Sequence, residues 1–168
     1  MGDPFKFAID VPIGPDWKNA SRLRDGIVNC LGCVFEDIDY CLTIGMAVGE
    51  LVENAIKYGD WSKSKNSSFT ARVHVSGSSV IIEVSNPVRS KSGSVDDLFA
   101  TLEWIRNQPT ALGAYQSLLQ KAGTEDGSHL GLARICYETG AQLDASLEGD
   151  VIRIRGFLSS TRAQLVGQ

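Results

Sequence analysis

The chain has 168 residues, a length that fits one domain with its own hydrophobic core. Its apolar share of 43% and charged share of 21% are ordinary for a globular protein and exclude a disordered, collagen-like or coiled-coil chain. The formal net charge of −4 argues against a general nucleic-acid binder, because such a protein needs a basic surface for phosphates.

The ends of the chain and its cysteines indicate an ordinary reducing compartment. No basic segment leads into a long apolar one, and no apolar run approaches the roughly 20 residues that span a membrane. We therefore expect a cytoplasmic protein with no membrane partner. Cys30 and Cys33 form a C-x-x-C, but no second such pair or nearby histidine completes a zinc set. They are expected to be buried or half-buried free thiols, as are Cys41 and Cys136.

The first half of the chain has the pattern of one strand, two helices and two further strands. In chain order these are predicted at about residues 5–10, 17–35, from 37 or 39 to 58, 69–75 and 80–84. Asp16 is placed to cap the first helix, Asp37 or Asp39 caps the second, and Gly59 closes it. Residues 59–68 are polar and predict a loop, and residues 76–79 predict a hairpin.

The second half begins after Asn86-Pro87, a dipeptide typical of a turn. Helices are predicted at about 95–107, 110–122 and 130–139, and closing strands at 142–147 and 151–157. The whole order lacks the strict strand–helix alternation of a doubly wound parallel sheet. It therefore predicts an α+β fold, with a largely antiparallel sheet and helices packed on one face.

The second predicted helix carries three polar side chains on one side. At 3.6 residues per turn, Glu50, Asn54 and Lys57 fall within a sector of about 60°. A carboxylate, an amide and an ammonium group thus line one side of an otherwise apolar helix. The alternative is a solvated face stabilised by pairs three and four residues apart.

Two other segments have candidate ligand-binding residues. Residues 126–134 form a glycine-containing loop that runs into a helix, and the free N–H groups of a helix start can hold phosphate. An ordinary helix entry is the alternative there. Asn86 follows a predicted strand, where a side chain can reach a ligand beside the sheet; a routine turn is the alternative.

Taken together and in this order, the three segments resemble the nucleotide-binding domain of the GHKL superfamily, the gyrase, chaperone, histidine-kinase and mismatch-repair ATPases. Residues 50–59, E-L-V-E-N-A-I-K-Y-G, are similar to the family's N-box, and residues 127–132 resemble its G-x-G-L-G-L box. The resemblance covers about residues 35–157. It implies a two-layer α/β sandwich of the GHKL (Bergerat) type, with a mixed, mostly antiparallel sheet and helices on one face. Residues 1–168 would be a single domain, with its core at about 5–157 and a variable lid at about 87–126.

The resemblance also implies cofactors and residue roles. ATP and Mg²⁺ would be bound, with Glu50 as the general base, Asn54 as the Mg²⁺ ligand and Lys57 as a phosphate neighbour. The remaining nucleotide contacts that it implies are Asn86, Gly127, His129, Leu130 and Gly131.

Within the family, a stand-alone module resembles the anti-sigma-factor serine kinases and related partner-switching regulators. This implies an ATP- and Mg²⁺-dependent serine/threonine kinase that acts on a regulatory protein partner. The alternative is a non-catalytic GHKL-like interaction module with weak or lost nucleotide binding, which would be able to form a homodimer.

Two departures from the family pattern favour that alternative. Asn86 replaces the aspartate of the adenine-binding D-x-G box, and Pro87-Val88 follows without the box's glycine. An asparagine can still accept a hydrogen bond from an adenine amino group, but without a charge. In the phosphate box, His129 stands where a glycine is expected, which reduces backbone freedom near the phosphates.

Overall fold

A computed structural model of the chain describes residues 5–11, 16–62, 69–76, 79–89, 93–122 and 129–159. These residues form five strands and five helices. In chain order they are β1 (Phe5–Val11), α1 (Ala20–Leu31), α2 (Ile38–Tyr58), β2 (Phe69–Ser76), β3 (Ser79–Pro87), α3 (Gly93–Arg106), α4 (Ala111–Ala122), α5 (Leu130–Thr139), β4 (Gln142–Glu148) and β5 (Val151–Ser159).

The described strands form one sheet in the order β1-β2-β3-β5-β4, and every pairing within it is antiparallel. The α+β class is therefore confirmed, whereas the expectation of a mixed sheet is wrong. β4 does run in the same direction as β3, but β5 lies between them. Because β5 is antiparallel to both of its neighbours, no parallel pair arises among the described strands.

The sheet has one apolar face and one polar face. Along β2 every second side chain, Phe69, Ala71, Val73 and Val75, is buried, as the two-residue period of a strand requires. The buried side of α2 packs on this face and also contacts α1 and α5. The helices therefore cover one face of the sheet, which places the second half of α2 next to the end of β3.

The two helices of the first half differ in how their starts are capped. α2 begins where it was predicted, because Asp37 Oδ1 accepts from the backbone N–H groups of Asp39 and Tyr40 at 3.0 and 3.1 Å. α1 begins at Ala20 rather than at residue 17, after Asn19, whose side chain makes no cap hydrogen bond. The predicted cap by Asp16 is therefore wrong. Within the described residues, no helix combines the length and apolar character needed to cross a membrane.

The end of β3 differs from the sequence prediction. Asn86 and Pro87 are the last residues of the strand and pair with Ile152 and Val151 of β5, so the predicted turn at this dipeptide is wrong. Proline is tolerated at a strand end because the lost N–H removes little of the ladder there. The Pro87 carbonyl oxygen accepts from the Asp60 N–H at 2.8 Å, which fixes the strand end to the chain just after α2.

All four cysteines are free thiols, as expected, but only two of them are buried. Cys41 and Cys136 lie in the core, whereas Cys30 and Cys33 are exposed. The buried stripe of α1 consists of Ile27, Val28 and Leu31, and Cys30 lies off that stripe, so the expected burial of this C-x-x-C is wrong.

Candidate functional site

The fold brings together three of the sequence-predicted site residues that lie far apart in the chain. Asn54 of α2, Asn86 of β3 and His129 at the start of α5 line one cleft. Tyr58 and Ser94 complete its polar lining, and aliphatic side chains from β5 and α3 form much of the rest. A few polar groups in a mostly apolar cleft are the usual composition of a small-molecule site.

The cleft is narrow in this structure. The space between its walls, including the part open to solvent, is about 430 Å³. Only about 30 Å³ of this space can be occupied by the centre of a water molecule. The smaller value decides the fit, because about 10–15 Å³ of such space holds one water. This space corresponds to about two waters, so a purine base needs the cleft to widen. The predicted lid, residues 87–126, contains α3 and α4, and α3 supplies Ser94, Val95 and Leu98 to the wall.

Glu50 lies beside the start of α5 and is held by an ion pair. Its Oε1 accepts from Arg134 Nη1 at 3.0 Å. A Cβ added at Gly131 would overlap Glu50 Oε2, so the glycine is what lets the carboxylate approach the helix. Burial raises the pKa of Glu50 and the Arg134 charge opposes this, with a net rise above the ordinary value. A raised pKa suits a general base that must accept a proton near neutral pH.

Asn54 has an amide oxygen that could serve as one Mg²⁺ ligand, with the other ligands supplied by water and substrate phosphates. It is half-buried and lines the cleft. Among the described residues, no three His, Cys, Asp or Glu side chains cluster so that they could hold a metal ion. Mg²⁺ keeps several waters and commonly takes substrate phosphates with few protein oxygens, so one amide oxygen fits that mode.

His129 has the backbone conformation that a glycine adopts most readily. Its φ is 75°, in the left-handed region, and it precedes the first residue of α5, Leu130. Histidine is among the residues enriched there, so it can take this conformation at the position where a glycine is expected. The imidazole stacks on Tyr58 with ring centroids 5.7 Å apart. Burial lowers the pKa of His129; the Asp97 charge opposes this and Lys57 adds to it.

Asn86 is 3% exposed, and one backbone contact fixes its orientation. Its Nδ2 donates to the Pro87 carbonyl oxygen at 3.0 Å, so the amide is assigned with Oδ1 as its remaining acceptor. An acceptor at this end of the cleft matches the amino group of a base.

The other predicted site residues lie around this cleft rather than in its lining. Lys57 is exposed, and its Nζ lies 5.1 Å from the centre of the Tyr58 ring. Leu130 and Gly131 lie in the first turn of α5, where Gly131 packs against Glu50. Gly127 lies outside the described residues.

Two charged residues of this region were missed in the sequence. Arg134 is one turn beyond Leu130, and its spacing to Glu138 predicts only an ordinary i,i+4 pair, which is indeed present at 2.8 Å. Asp60, predicted as part of a polar loop, is buried. It accepts from the Ser62 N–H and hydroxyl and, at 3.3 Å, from Arg89. Hydrogen bonds from Ser62 and the Arg89 charge lower the pKa of Asp60, so it stays ionised where α2 meets β3.

Comparison with known proteins extends the description of the fold. No protein-family model matches the sequence, and no curated protein matches it. Among solved structures, the chain is similar to one in the crystal structure of the SiaB–SiaC complex from Pseudomonas aeruginosa. The TM-score is 0.69 at 17% sequence identity, and the match covers 90% of this chain and 88% of that chain. At this identity the similarity establishes a shared fold over nearly the whole chain.

Proposed function

We propose that this protein binds ATP with Mg²⁺ and is a serine/threonine protein kinase that acts on a regulatory protein in bacterial partner-switching signalling. The observation that supports this most directly is the convergence of Asn54, Asn86 and His129 on one cleft. Glu50 lies on the same side of α2, one turn before Asn54. The GHKL-like motifs in the sequence place the same four residues at a nucleotide site.

Each residue has a distinct role in the proposed reaction. Bound Mg²⁺–ATP would supply the γ-phosphoryl group and leave as ADP. Asn54 would hold the metal through its amide oxygen, and Asn86 would accept from the amino group of the base. Glu50 would take the proton from the serine hydroxyl of the partner as its oxygen bonds to phosphorus.

The fold comparison and the family resemblance both support a separate protein as the substrate. The similar solved chain belongs to a complex of two proteins. The anti-sigma-factor kinases, which the sequence resembles, act on partner proteins. The acidic net charge of −4 does not favour a nucleic acid in that place.

Calorimetric titration with ATP, with and without Mg²⁺, tests the proposal directly. We expect Mg²⁺-dependent binding heat for the wild-type chain and loss of the Mg²⁺-dependent part in Asn54→Ala. Glu50→Ala should retain binding but lose phosphotransfer by about 10²-fold or more, the range for a general base. Asn29→Ala, which changes an exposed asparagine of α1, is the matched control and should bind as the wild type does.

A non-catalytic interaction module is the second candidate, and the narrow cleft favours it. If ATP, ADP and a non-hydrolysable analogue all give no heat with Mg²⁺, the kinase proposal is wrong and this candidate replaces it. Sedimentation of the chain would then show whether its partner is a second copy, as in a homodimer.

A further inference from the structure

Arg134 contacts two carboxylates with different parts of its guanidinium group. Nη1 donates to Glu50 Oε1 at 3.0 Å, and Nε donates to Glu138 Oε1 at 2.8 Å. Because the guanidinium is planar and rigid, two such contacts fix the direction of its plane. The Glu138 contact lies within α5, so that helix carries the oriented group toward α2.

The Glu50 carboxylate is held on both sides by α5. One oxygen, Oε1, is taken by Arg134, while Oε2 lies against the Cα of Gly131. Gly131 is the second residue of α5, next to the helix start that the sequence predicts as the phosphate loop. Arg134 thus takes Oε1 and leaves Oε2 as the oxygen to accept the proton.

We propose that Arg134 is a positioning residue that orients Glu50 for proton transfer and keeps its carboxylate charged. This inference rests on the proposed function, in which Glu50 is the general base. It assigns to Arg134 a role that neither the GHKL-like motifs nor the spacing in the sequence indicates.

The charges around Glu50 make Arg134 the cation that acts on it most strongly. Glu53 of α2 and Glu138 of α5 both raise the pKa of Glu50, as burial does, and Arg134 alone among its named charged neighbours lowers it. Arg24 of α1 lies over Gly49, the preceding residue, but is not among those neighbours. β3, which also packs on α2, presents no titratable group on its inner face in the described span.

Removing the Arg134 charge should therefore raise the pKa of Glu50 further. Arg134→Gln keeps a hydrogen-bond donor but loses the charge and the two-pronged contact, whereas Arg134→Lys keeps the charge and loses only the fork. Arg155→Gln is the control, because Arg155 makes the same kind of ion pair with Glu83 on the opposite face of the sheet.

The test follows the ¹³C signal of the Glu50 carboxyl group during a pH titration of the full chain, with the signal assigned by its loss in Glu50→Gln. We expect the midpoint to move upward in Arg134→Gln, to move less in Arg134→Lys and to stay unchanged in Arg155→Gln. An unchanged midpoint in Arg134→Gln would overturn the proposal. This measurement needs no nucleotide, so its failure is separate from failure of the kinase proposal.

Kinetics provide the second readout where phosphotransfer is detected. Arg134→Gln should lower kcat by about tenfold or more with little change in KM for ATP, since a misplaced base loses rate rather than binding. Partial rescue of kcat by Arg134→Lys, with the acidic limb of its pH–rate profile near the wild-type position, supports a charge-dependent positioning role. Equal loss in both variants, with unchanged pH profiles, would reduce Arg134 to a structural contact and contradict the inference.

Discussion

Gly131 is the residue whose small size the candidate site depends on most. The change Gly131→Ala adds a methyl group that would overlap the Glu50 carboxylate. The helical backbone there accepts alanine, so the expected effect arises from side-chain overlap alone. We expect the free energy of unfolding to fall by about 1–3 kcal/mol, the usual range for overpacking, in urea denaturation.

The matched control for that substitution is Gly26→Ala in α1. A Cβ at Gly26 meets nothing within 4 Å, and the residue lies inside a helix. The same chemical change should stabilise the protein by about 0.5–1 kcal/mol, because alanine is the better helix former. Equal effects at the two glycines would mean that Gly131 is not needed for the approach of Glu50.

At the scale of residues, the sequence predicted which side chains lie together on one helix better than it predicted contacts between different elements. Glu50 and Asn54 were placed together by the period of a single helix, which needs no knowledge of the fold. The bond between Arg134 and Glu50 joins residues 84 positions apart, so no local pattern could indicate it. The burial of Asp60 could not be predicted for the same reason, because its partners include Arg89, which follows the end of β3.

Among the helices, α2 depends on a cap that its own sequence supplies. Asp37→Ala removes the acceptor of the Asp39 and Tyr40 N–H groups and should destabilise the protein by about 1 kcal/mol. Asp16→Ala should leave the free energy of unfolding unchanged, because α1 begins four residues later without a side-chain cap. Urea unfolding of the two variants checks this, and a comparable loss in Asp16→Ala would contradict the assigned helix start.

The strands show where local patterns stop being informative. β2 and its partner β3 were found from period-two alternation and a hairpin signal, both of which are short-range. The extension of β3 through Asn86 and Pro87 depends on β5, about 65 residues further along the chain. The absence of parallel pairs among the described strands likewise depends on the position of β5 between β3 and β4, which no single segment indicates.

At the scale of the whole molecule, Glu83 of β3 links its strand to both neighbouring strands, β2 and β5, on the polar face of the sheet. It accepts from Arg72 of β2 at 3.0 Å and from Arg155 of β5 at 2.8 Å, and its side chain is 14% exposed. Burial raises the pKa of Glu83, but the hydrogen bonds from Arg155 and Arg72 outweigh this, so the pKa is lowered overall. The carboxylate therefore stays charged in the folded state to lower pH than in the unfolded chain.

This lowered pKa predicts a pH dependence of stability. The Glu83 contribution is present above the unfolded pKa of about 4.3 and is lost as the pH falls through the lower folded value. Glu83→Gln should reduce stability at neutral pH and flatten the loss of stability toward acid, as measured by urea unfolding across that range. Glu148→Gln, which alters an exposed partner of Arg153, is the control and should lower stability at neutral pH less than Glu83→Gln does. A wild-type pH profile in Glu83→Gln would show that the cluster is solvent-screened.

The position of β5 between β3 and β4 has a consequence for how the chain acquires its structure. β5 is the last of the described strands in chain order, yet it pairs on both sides and supplies Ile152, Ile154 and Leu158 to the core. During synthesis, one edge of β3 stays unpaired until β5, about 65 residues further along the chain, has been made, and pairing over such a sequence distance is slow. β4 pairs with β5 as a tight hairpin, so that pairing is local. A period in which this edge of β3 is open to chaperones and to edge-to-edge aggregation follows from this strand order.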